Sequence, residues 1–342
     1  MNQNIFVVYP SAKLGDFIWH VPFIKHISDI SNKKVILITR KSTSAHDILS
    51  NEDYIKDIHY IPFKKGLFNY VKEILLMRKL FRKFKAKEVW ILDKISRPAI
   101  AAKLSNIKTI NGFGVTNQTL WITNKKSLDR KDLKIHYIER SKKFFNLLNK
   151  PIDYKFTNIH INEDLINILK KKLTPNNEKI ITYGIDSSEM WRSWPKEYFS
   201  DLVLEINKEG NCKHILIASP QNSKIAVDII NRTKLKNIFN YSHLKIIDIM
   251  PLLKISNIYI GNDSGILNLS AAIGVKSIGI FGATKSFNYS NNIIPVISEE
   301  GEISSTSDRL LDNKGKTIED SKLATRVNVQ DVYKKFKENF TF

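Results

Sequence analysis

The sequence predicts an α/β protein built from two Rossmann-like domains, each a parallel sheet with helices on both faces. Short apolar runs alternate with helical patterns along the whole chain, and 342 residues suffice for two such domains. Two strand-to-helix turns rich in Gly, Asp and Ser punctuate this pattern near opposite ends of the sequence. In the first half, strands are expected over 5–9, 35–39, 57–61, 88–92 and 108–112, and helices over 17–28, 43–49, 67–84, 97–104 and 136–148. Lys150-Pro151 ends the last of these helices and opens a linker, because proline cannot continue a helix. In the second half, strands are expected over 179–184, 214–218, 237–241, 257–260 and 277–281, with helices over 195–207, 223–231, 249–254 and 265–273. A polar loop is read over 299–316 and a final amphipathic helix over 329–340. The domains that follow are 1–155 and 156–327, with a terminal helical segment over 328–342.

Composition narrows the function. No run of 18 apolar residues is present, so no transmembrane helix is expected. Met1-Asn-Gln-Asn leads directly into a strand, without the basic and apolar regions of a signal peptide. Cys212 is the single cysteine, which excludes a disulfide framework or thiolate metal cluster within one chain, and a cytoplasmic protein is expected. The net charge of +20 is unevenly placed: residues 1–150 hold 29 Lys+Arg against 12 Asp+Glu, and residues 151–342 hold 25 against 22. A basic first half suggests a large anionic partner. Its densest stretch, 63–87, mixes an apolar stripe (Val71, Ile74, Leu75, Leu80, Phe84) with Lys72, Arg78, Lys79, Arg82, Lys83 and Lys85. That pattern reads either as a packed helix with a solvated basic face or as a helix lying on anionic lipid headgroups. Nucleic acid suits the charge, but no RNP, zinc-finger or helix-turn-helix signature carries it, so no nucleic-acid partner is expected.

The most informative run is Ile258-Tyr-Ile-Gly-Asn-Asp-Ser-Gly-Ile-Leu-Asn-Leu-Ser-Ala-Ala-Ile-Gly274, an apolar strand, a tight turn and a small-residue helix opening near Ser264. Such a turn leaves backbone N–H groups unpaired at the positive end of a helix dipole, a place for phosphate or another anion, although many α/β proteins carry one for structural reasons alone. The second run is Ile5-Phe-Val-Val-Tyr-Pro-Ser-Ala-Lys-Leu-Gly-Asp16, followed by an amphipathic helix expected to start after Gly15-Asp16. Asp16 reads either as an N-cap or as a carboxylate at the carboxyl end of the first strand, where open α/β sheets place ligand chemistry. The local pattern leaves both roles open.

Three segments together resemble the glycosyltransferase family 9 heptosyltransferases, which build the inner core of lipopolysaccharide. They are Leu14-Gly15-Asp16 with Pro22 downstream, the stretch Tyr183-Gly-Ile-Asp-Ser-Ser-Glu-Met-Trp-Arg-Ser-Trp-Pro-Lys196, and Gly261-Asn-Asp-Ser-Gly265 followed by Gly279-Ile-Phe-Gly-Ala-Thr284. Their order and spacing match over nearly the whole chain. The resemblance implies the GT-B architecture: two Rossmann-like domains facing each other across a cleft, the first taking the acceptor and the second the nucleotide-sugar, with the C-terminal helix packing back towards the N-terminal domain.

By the same resemblance Asp16 is the catalytic base, physically sensible because a sugar hydroxyl is a poor nucleophile until a positioned carboxylate accepts its proton. Lys13 and Gly15 are implied on the acceptor side, where a solvated lysine is the plainer reading of Lys13. Ser187, Ser188, Arg192, Asp263, Ser264, Gly265 and Asn268 are implied on the donor side. Arg192 falls where the family has a phosphate-binding Lys or Arg, and a guanidinium can bridge two phosphate oxygens. Ser264 and Gly265 begin the helix that meets the leaving diphosphate, Asp263 orients a donor hydroxyl or the loop itself, and Ser187 and Ser188 otherwise read as a turn or cap. Trp191 and Trp194 read as packing residues. No cofactor or metal is expected to be required, since no Asp-x-Asp motif is present and Arg192 with the helix start supplies positive potential. Two positions depart from the family: Asn268 where many members have His, and Ala283-Thr284-Lys285-Ser286 where they have Pro-Thr-Asp-Pro. The stretch Ser219-Pro-Gln-Asn-Ser223, where a carboxylate would hold a ribose, has none.

The reading that results is an inverting glycosyltransferase, with ADP-L-glycero-D-manno-heptose as donor and the anionic inner core of lipopolysaccharide or lipooligosaccharide as acceptor. It is expected to work at the inner face of the cytoplasmic membrane through its basic first domain. The alternatives are a transferase using another nucleotide-sugar, and a catalytically silent GT-B protein binding anionic glycolipid or nucleotide.

Overall fold

A computed structural model describes residues 4–174, 177–287, 290–303, 310–314 and 316–342. The chain divides into two compact units, Met1–Thr157 and Asn158–Phe342.

The first unit runs β1 (Asn4–Val8), α1 (Leu14–Ser31), β2 (Val35–Thr39), α2 (Ala45–Leu49), β3 (Ile55–Tyr60), α3 (Leu67–Lys83), β4 (Ala86–Ile91), α4 (Arg97–Lys103), β5 (Thr109–Gly112) and α5 (Tyr137–Leu147). Its strands pair in parallel in the order β3-β2-β1-β4-β5. From β1 the chain winds one way to β2 and β3; β4 then starts on the other side of β1 and winds away to β5. The boundary between β1 and β4 is therefore the switch point, where the carboxyl ends of the strands leave a crevice. Strand alternation splits the core: Phe6 and Val8 join Ile74, Met77 and Phe81 of α3 in one cluster, while Tyr9 stacks on His20 of α1 at 4.2 Å. Phe23, Trp90 and Phe145 form a second stack, with ring centroids 5.7 and 5.5 Å apart. Burying each such phenylalanine stabilises the fold by about 1.5–3 kcal/mol.

The second unit runs α6 (Glu163–Leu173), β6 (Lys179–Gly184), α7 (Lys196–Asn207), β7 (Cys212–Ile217), α8 (Ser223–Thr233), β8 (Ile238–Asn240), α9 (Ile246–Lys254), β9 (Ile258–Asn262), α10 (Gly265–Ala272), β10 (Ser277–Phe281), β11 (Ile293–Ile297) and α11 (Val329–Asn339). The parallel order β11-β10-β9-β6-β7-β8 repeats the same logic, with its switch point between β6 and β9. Every residue of β9 and β10 is buried, as strands covered on both faces require. Tyr259 explains two glycines here. A Cβ on Gly184 would stand 1.7 Å from its hydroxyl and one on Gly261 2.5 Å away, so both strand ends lack side chains to admit the phenol.

Two expectations are corrected. The helix after β1 begins at Leu14 with Lys13 as its N-cap, so Asp16 is the third residue inside it and not the cap. That helix is not amphipathic in burial, because five consecutive residues, Phe17 to Val21, are buried. The terminal helix α11 packs within the second unit, where Val332 and Phe336 are fully buried with Phe199, Leu202 and Val203 of α7. Two elements also went unread. Helix α6 carries its signals, with Asn162 accepting a hydrogen bond from Asp164 N at 2.8 Å and Lys170, Lys171 and Lys172 in the last turn. Strand β11 contains Pro295, which argues against a strand except at a sheet edge, where β11 lies. The polar loop expected over 299–316 falls partly outside the described residues; an isolated bridge pairs Leu311 with Thr317.

Candidate active site

In the first unit, a cavity of about 270 Å³ opens at the carboxyl ends of β1 and β4, on the switch point. Asp16 lies on its wall. Its carboxylate accepts a hydrogen bond from Ser11 Oγ at 3.3 Å, and its backbone carbonyl lies 2.8 Å from His20 Nδ1 and accepts from Tyr9 Oη at 3.1 Å. A carboxylate in the first turn of a helix also sits at the favourable end of the dipole. His20 lies between Tyr9 and Tyr137, and burial pushes its pKa down to about 3, so its ring is neutral near pH 7 and does not neutralise Asp16. Lys13 and Gly15 flank Asp16 in sequence but do not line the cavity.

Asp93, a second carboxylate on the cavity wall, escaped the sequence reading. It lies two residues after β4, and burial raises its pKa. The loop carrying it is held by the fully buried Gln118, whose amide donates to the carbonyls of Asp93 (2.9 Å) and Ile95 (2.8 Å). A carboxylate two residues beyond a strand that neighbours β1 is a recognisable signal, but only once the strand order is known. Three arginines also line the cavity, and their hydrogen bonds separate them. Arg40 donates to the carbonyls of Pro10, Pro62 and Phe63. Arg97 pairs with the buried Glu73 and donates to Lys64 O. Arg140 differs: its Nε is buried without a hydrogen-bond partner among the described residues, and burial lowers its pKa while Asp93 opposes the shift. Arg40 and Arg97 are thus tied to carbonyls and to Glu73, whereas the Nε of Arg140 is not tied in this way.

In the second unit, the loops after β6 and β9 meet at its switch point. Arg192 ends a 3₁₀ turn over Met190–Arg192. It donates from Nε to Ser187 Oγ at 3.0 Å and from Nη1 to Asp263 Oδ2 at 3.1 Å, with Glu189 Oε2 3.4 Å from Nε. The guanidinium is nearly buried, at 9 % exposure, so these partners fix its plane. Ser187 is buried and organises the turn: its hydroxyl donates to Glu189 O (3.0 Å) and accepts from Glu189 N (3.1 Å), whereas Ser188 is exposed. Ser264 caps α10 by accepting from Leu267 N at 3.4 Å, which leaves Gly265 as the first helical residue. Asn268 is buried and donates back to Ser264 O at 3.1 Å. The structure thus brings Ser187, Arg192, Asp263 and Ser264 into one connected cluster. Trp194 is core, packed edge-on to Phe199 at 5.0 Å and donating from its indole to Val327 O. The loop over 219–223 receives a carboxylate from elsewhere: Asp186 accepts from Ser219 N (2.9 Å) and Asn222 Nδ2 (3.0 Å).

Known proteins share the family pattern and the fold of this chain. Residues 77–310 match the model of glycosyltransferase family 9 (heptosyltransferase). The chain is 26% identical over 316 residues to lipopolysaccharide heptosyltransferase 1 of Campylobacter coli, covering 86% of both proteins. Among solved structures it resembles the glycosyl transferase family 9 protein of Veillonella parvula, with a TM-score of 0.75, 16% identity, and 98% and 96% of the two chains covered. The E. coli ADP-heptose lps heptosyltransferase II gives 0.74 at 12% identity, covering 98% of each chain. At such identities the structural likeness speaks for the fold, two parallel-sheet domains of the GT-B type. With a family match over more than half its length and that fold beneath it, this chain belongs to glycosyltransferase family 9 and is a glycosyltransferase.

Proposed function

We propose that this protein is an inverting heptosyltransferase that moves L-glycero-D-manno-heptose from its ADP donor to the inner core of lipopolysaccharide or lipooligosaccharide. The carrying observation is that each sheet holds one half of the required chemistry at its own switch point: a carboxylate beside a cavity in the first unit, and a fixed guanidinium beside a capped helix start in the second. The acceptor hydroxyl enters the cavity and attacks the anomeric carbon opposite the diphosphate. Asp16 accepts its proton as the new C–O bond forms. The bond from the anomeric carbon to phosphate breaks, and the negative charge on departing ADP is met by Arg192 and by the N–H groups at the start of α10. Ser187 and Asp263 hold Arg192 in the plane that suits two phosphate oxygens. Arg140 meets a carboxylate or phosphate of the acceptor. Lys13 and Gly15 support the acceptor side as neighbours of Asp16, and Ser188, exposed beside the cluster, reaches the donor.

The relatives named for heptosyl transfer support the ADP-heptose assignment. A second donor stays in view because Asn268 turns back onto Ser264 where many members carry His. The test is a panel of nucleotide-sugars with extracted core oligosaccharides, read by mass spectrometry of the product. ADP-heptose is expected to give a heptosylated core with inverted anomeric configuration, and turnover is expected to persist in EDTA because Arg192 and the helix start supply the positive charge. Product formation only with another donor overturns the heptose assignment. Loss of activity in EDTA that Mg²⁺ restores overturns the metal-independent mechanism.

A further inference from the structure

Helix α3 turns two different faces to its surroundings. Its inward side buries Glu73, Ile74, Met77 and Phe81 against the sheet and α4. Its outward side holds large apolar residues in the open: Leu67 is 81% exposed, Phe68 78%, Leu75 53% and Val71 48%. Leu67, Val71 and Leu75 recur every four residues, so they form one ridge about 12 Å long. Sequence patterning placed Val71 and Leu75 in one apolar stripe with Ile74; the structure turns the first two outwards and buries Ile74.

The charges around this ridge select its partner. Lys64 and Lys65 precede it, Lys72 lies within it, and Lys79, Arg82 and Lys83 continue the same outward side towards the helix end, all exposed. Between residues 63 and 87 the only acid is Glu73, and it is buried and paired with Arg97. A second copy of this chain would set like charges against each other. A nucleic acid would satisfy the cations but offers nothing to aliphatic Leu67, Val71 and Leu75, which cannot stack on bases as aromatic rings do. The occupant must be anionic and apolar at once, as the boundary between headgroups and acyl chains of an anionic leaflet is.

We infer that the outward face of α3 is a membrane-insertion surface: Leu67, Phe68, Val71 and Leu75 enter the acyl boundary of an anionic lipid leaflet while the flanking lysines hold its phosphates. This rests on the proposed lipid-anchored acceptor for its purpose, but not for its physics. It goes beyond adsorption of a basic domain, because a helix seated about 5–10 Å into the interface keeps part of its binding when salt screens the charges.

The full chain is tested by sedimentation with vesicles of phosphatidylglycerol and phosphatidylcholine, and with vesicles of phosphatidylcholine alone. The wild type is expected to bind the anionic vesicles and to bind the neutral ones far more weakly. Leu67→Ser with Phe68→Ser lowers anionic binding by about tenfold or more at both low and high salt, the loss expected when two exposed side chains no longer enter lipid. Lys64→Gln, Lys65→Gln and Lys79→Gln together flatten the salt dependence instead. A polarity-sensitive dye on Phe68→Cys shifts to the blue with anionic vesicles; the native Cys212 is buried and does not compete for label. The inference is overturned if the serine variant binds as the wild type does, if the dye does not shift, or if neutral and anionic vesicles bind alike. It is equally overturned if the serine substitutions instead dissolve a dimer or release an oligonucleotide. Transfer to a deacylated, water-soluble acceptor separates the two readings: its absence in the wild type, with vesicle insertion intact, defeats the proposed function alone.

Discussion

Asp16 is a residue whose position, ambiguous in the sequence, is set by the fold. As an N-cap it would serve the helix start; as the third residue of α1 it leaves that position to Lys13 and presents its carboxylate to the cavity. Ser11 donates to that carboxylate, and burial keeps the neighbouring imidazole of His20 neutral. Asp16→Asn keeps shape and removes proton acceptance, and it is expected to lower turnover by a factor of roughly 10²–10⁴ while ADP binding persists. Steady-state kinetics with calorimetry of ADP binding checks this. Near-normal turnover with a lowered melting temperature would instead mark a purely structural carboxylate. Asp93 and Arg140 were not legible in this way, because neither sits in a motif: one follows β4 and the other lies on α5, and only folding places them beside Asp16.

At the scale of elements, most strands and helices were readable to within a few residues because parallel strands buried on both faces leave continuous apolar runs. The exceptions have physical reasons: Pro295 disguised an edge strand, and α6 buries only Ile166, too little for an apolar stripe to stand out. The loop after β6 was readable as a motif but not as a device. Its sequence suggested an Arg able to bridge two phosphate oxygens, and the fold ties Arg192 to Ser187 in its own loop and to Asp263 in the loop after β9. Such preorganisation lowers the entropy lost when a diphosphate binds. Arg192→Ala is expected to weaken ADP binding by about 1.5–3 kcal/mol, the range for a charge-assisted bond. Titration calorimetry reads this directly, and an unchanged affinity removes Arg192 from the donor site.

Across the whole molecule, three histidines are buried neutral: burial pushes the pKa of His20 to about 3, and those of His136 and His214 to about 4. These values lie below the unfolded value near 6.5, so their contribution to stability is complete above about pH 6.5 and is lost as pH falls towards 4. Each costs up to about 1.4 kcal/mol per pH unit within that window. Asp93, whose pKa burial raises, works the other way but is one group against three. The melting temperature is therefore expected to drop between pH 7.5 and pH 5, and a flat profile over that range would contradict neutral burial of these rings. His20, His136 and the opposing Asp93 lie in the first unit and His214 in the second, so acid is expected to weaken both units. By itself the sequence determined the alternation of strands and helices, the two glycine-containing turns and the asymmetry of charge, because local propensity, hydrophobic burial and formal charge are written residue by residue. Only the tertiary structure decided which carboxylates share a cavity, which of three arginines are tied to carbonyls and to Glu73, where the last helix packs and which side of α3 faces outwards. Those depend on strand order and on contacts between residues far apart in sequence, which no local pattern encodes.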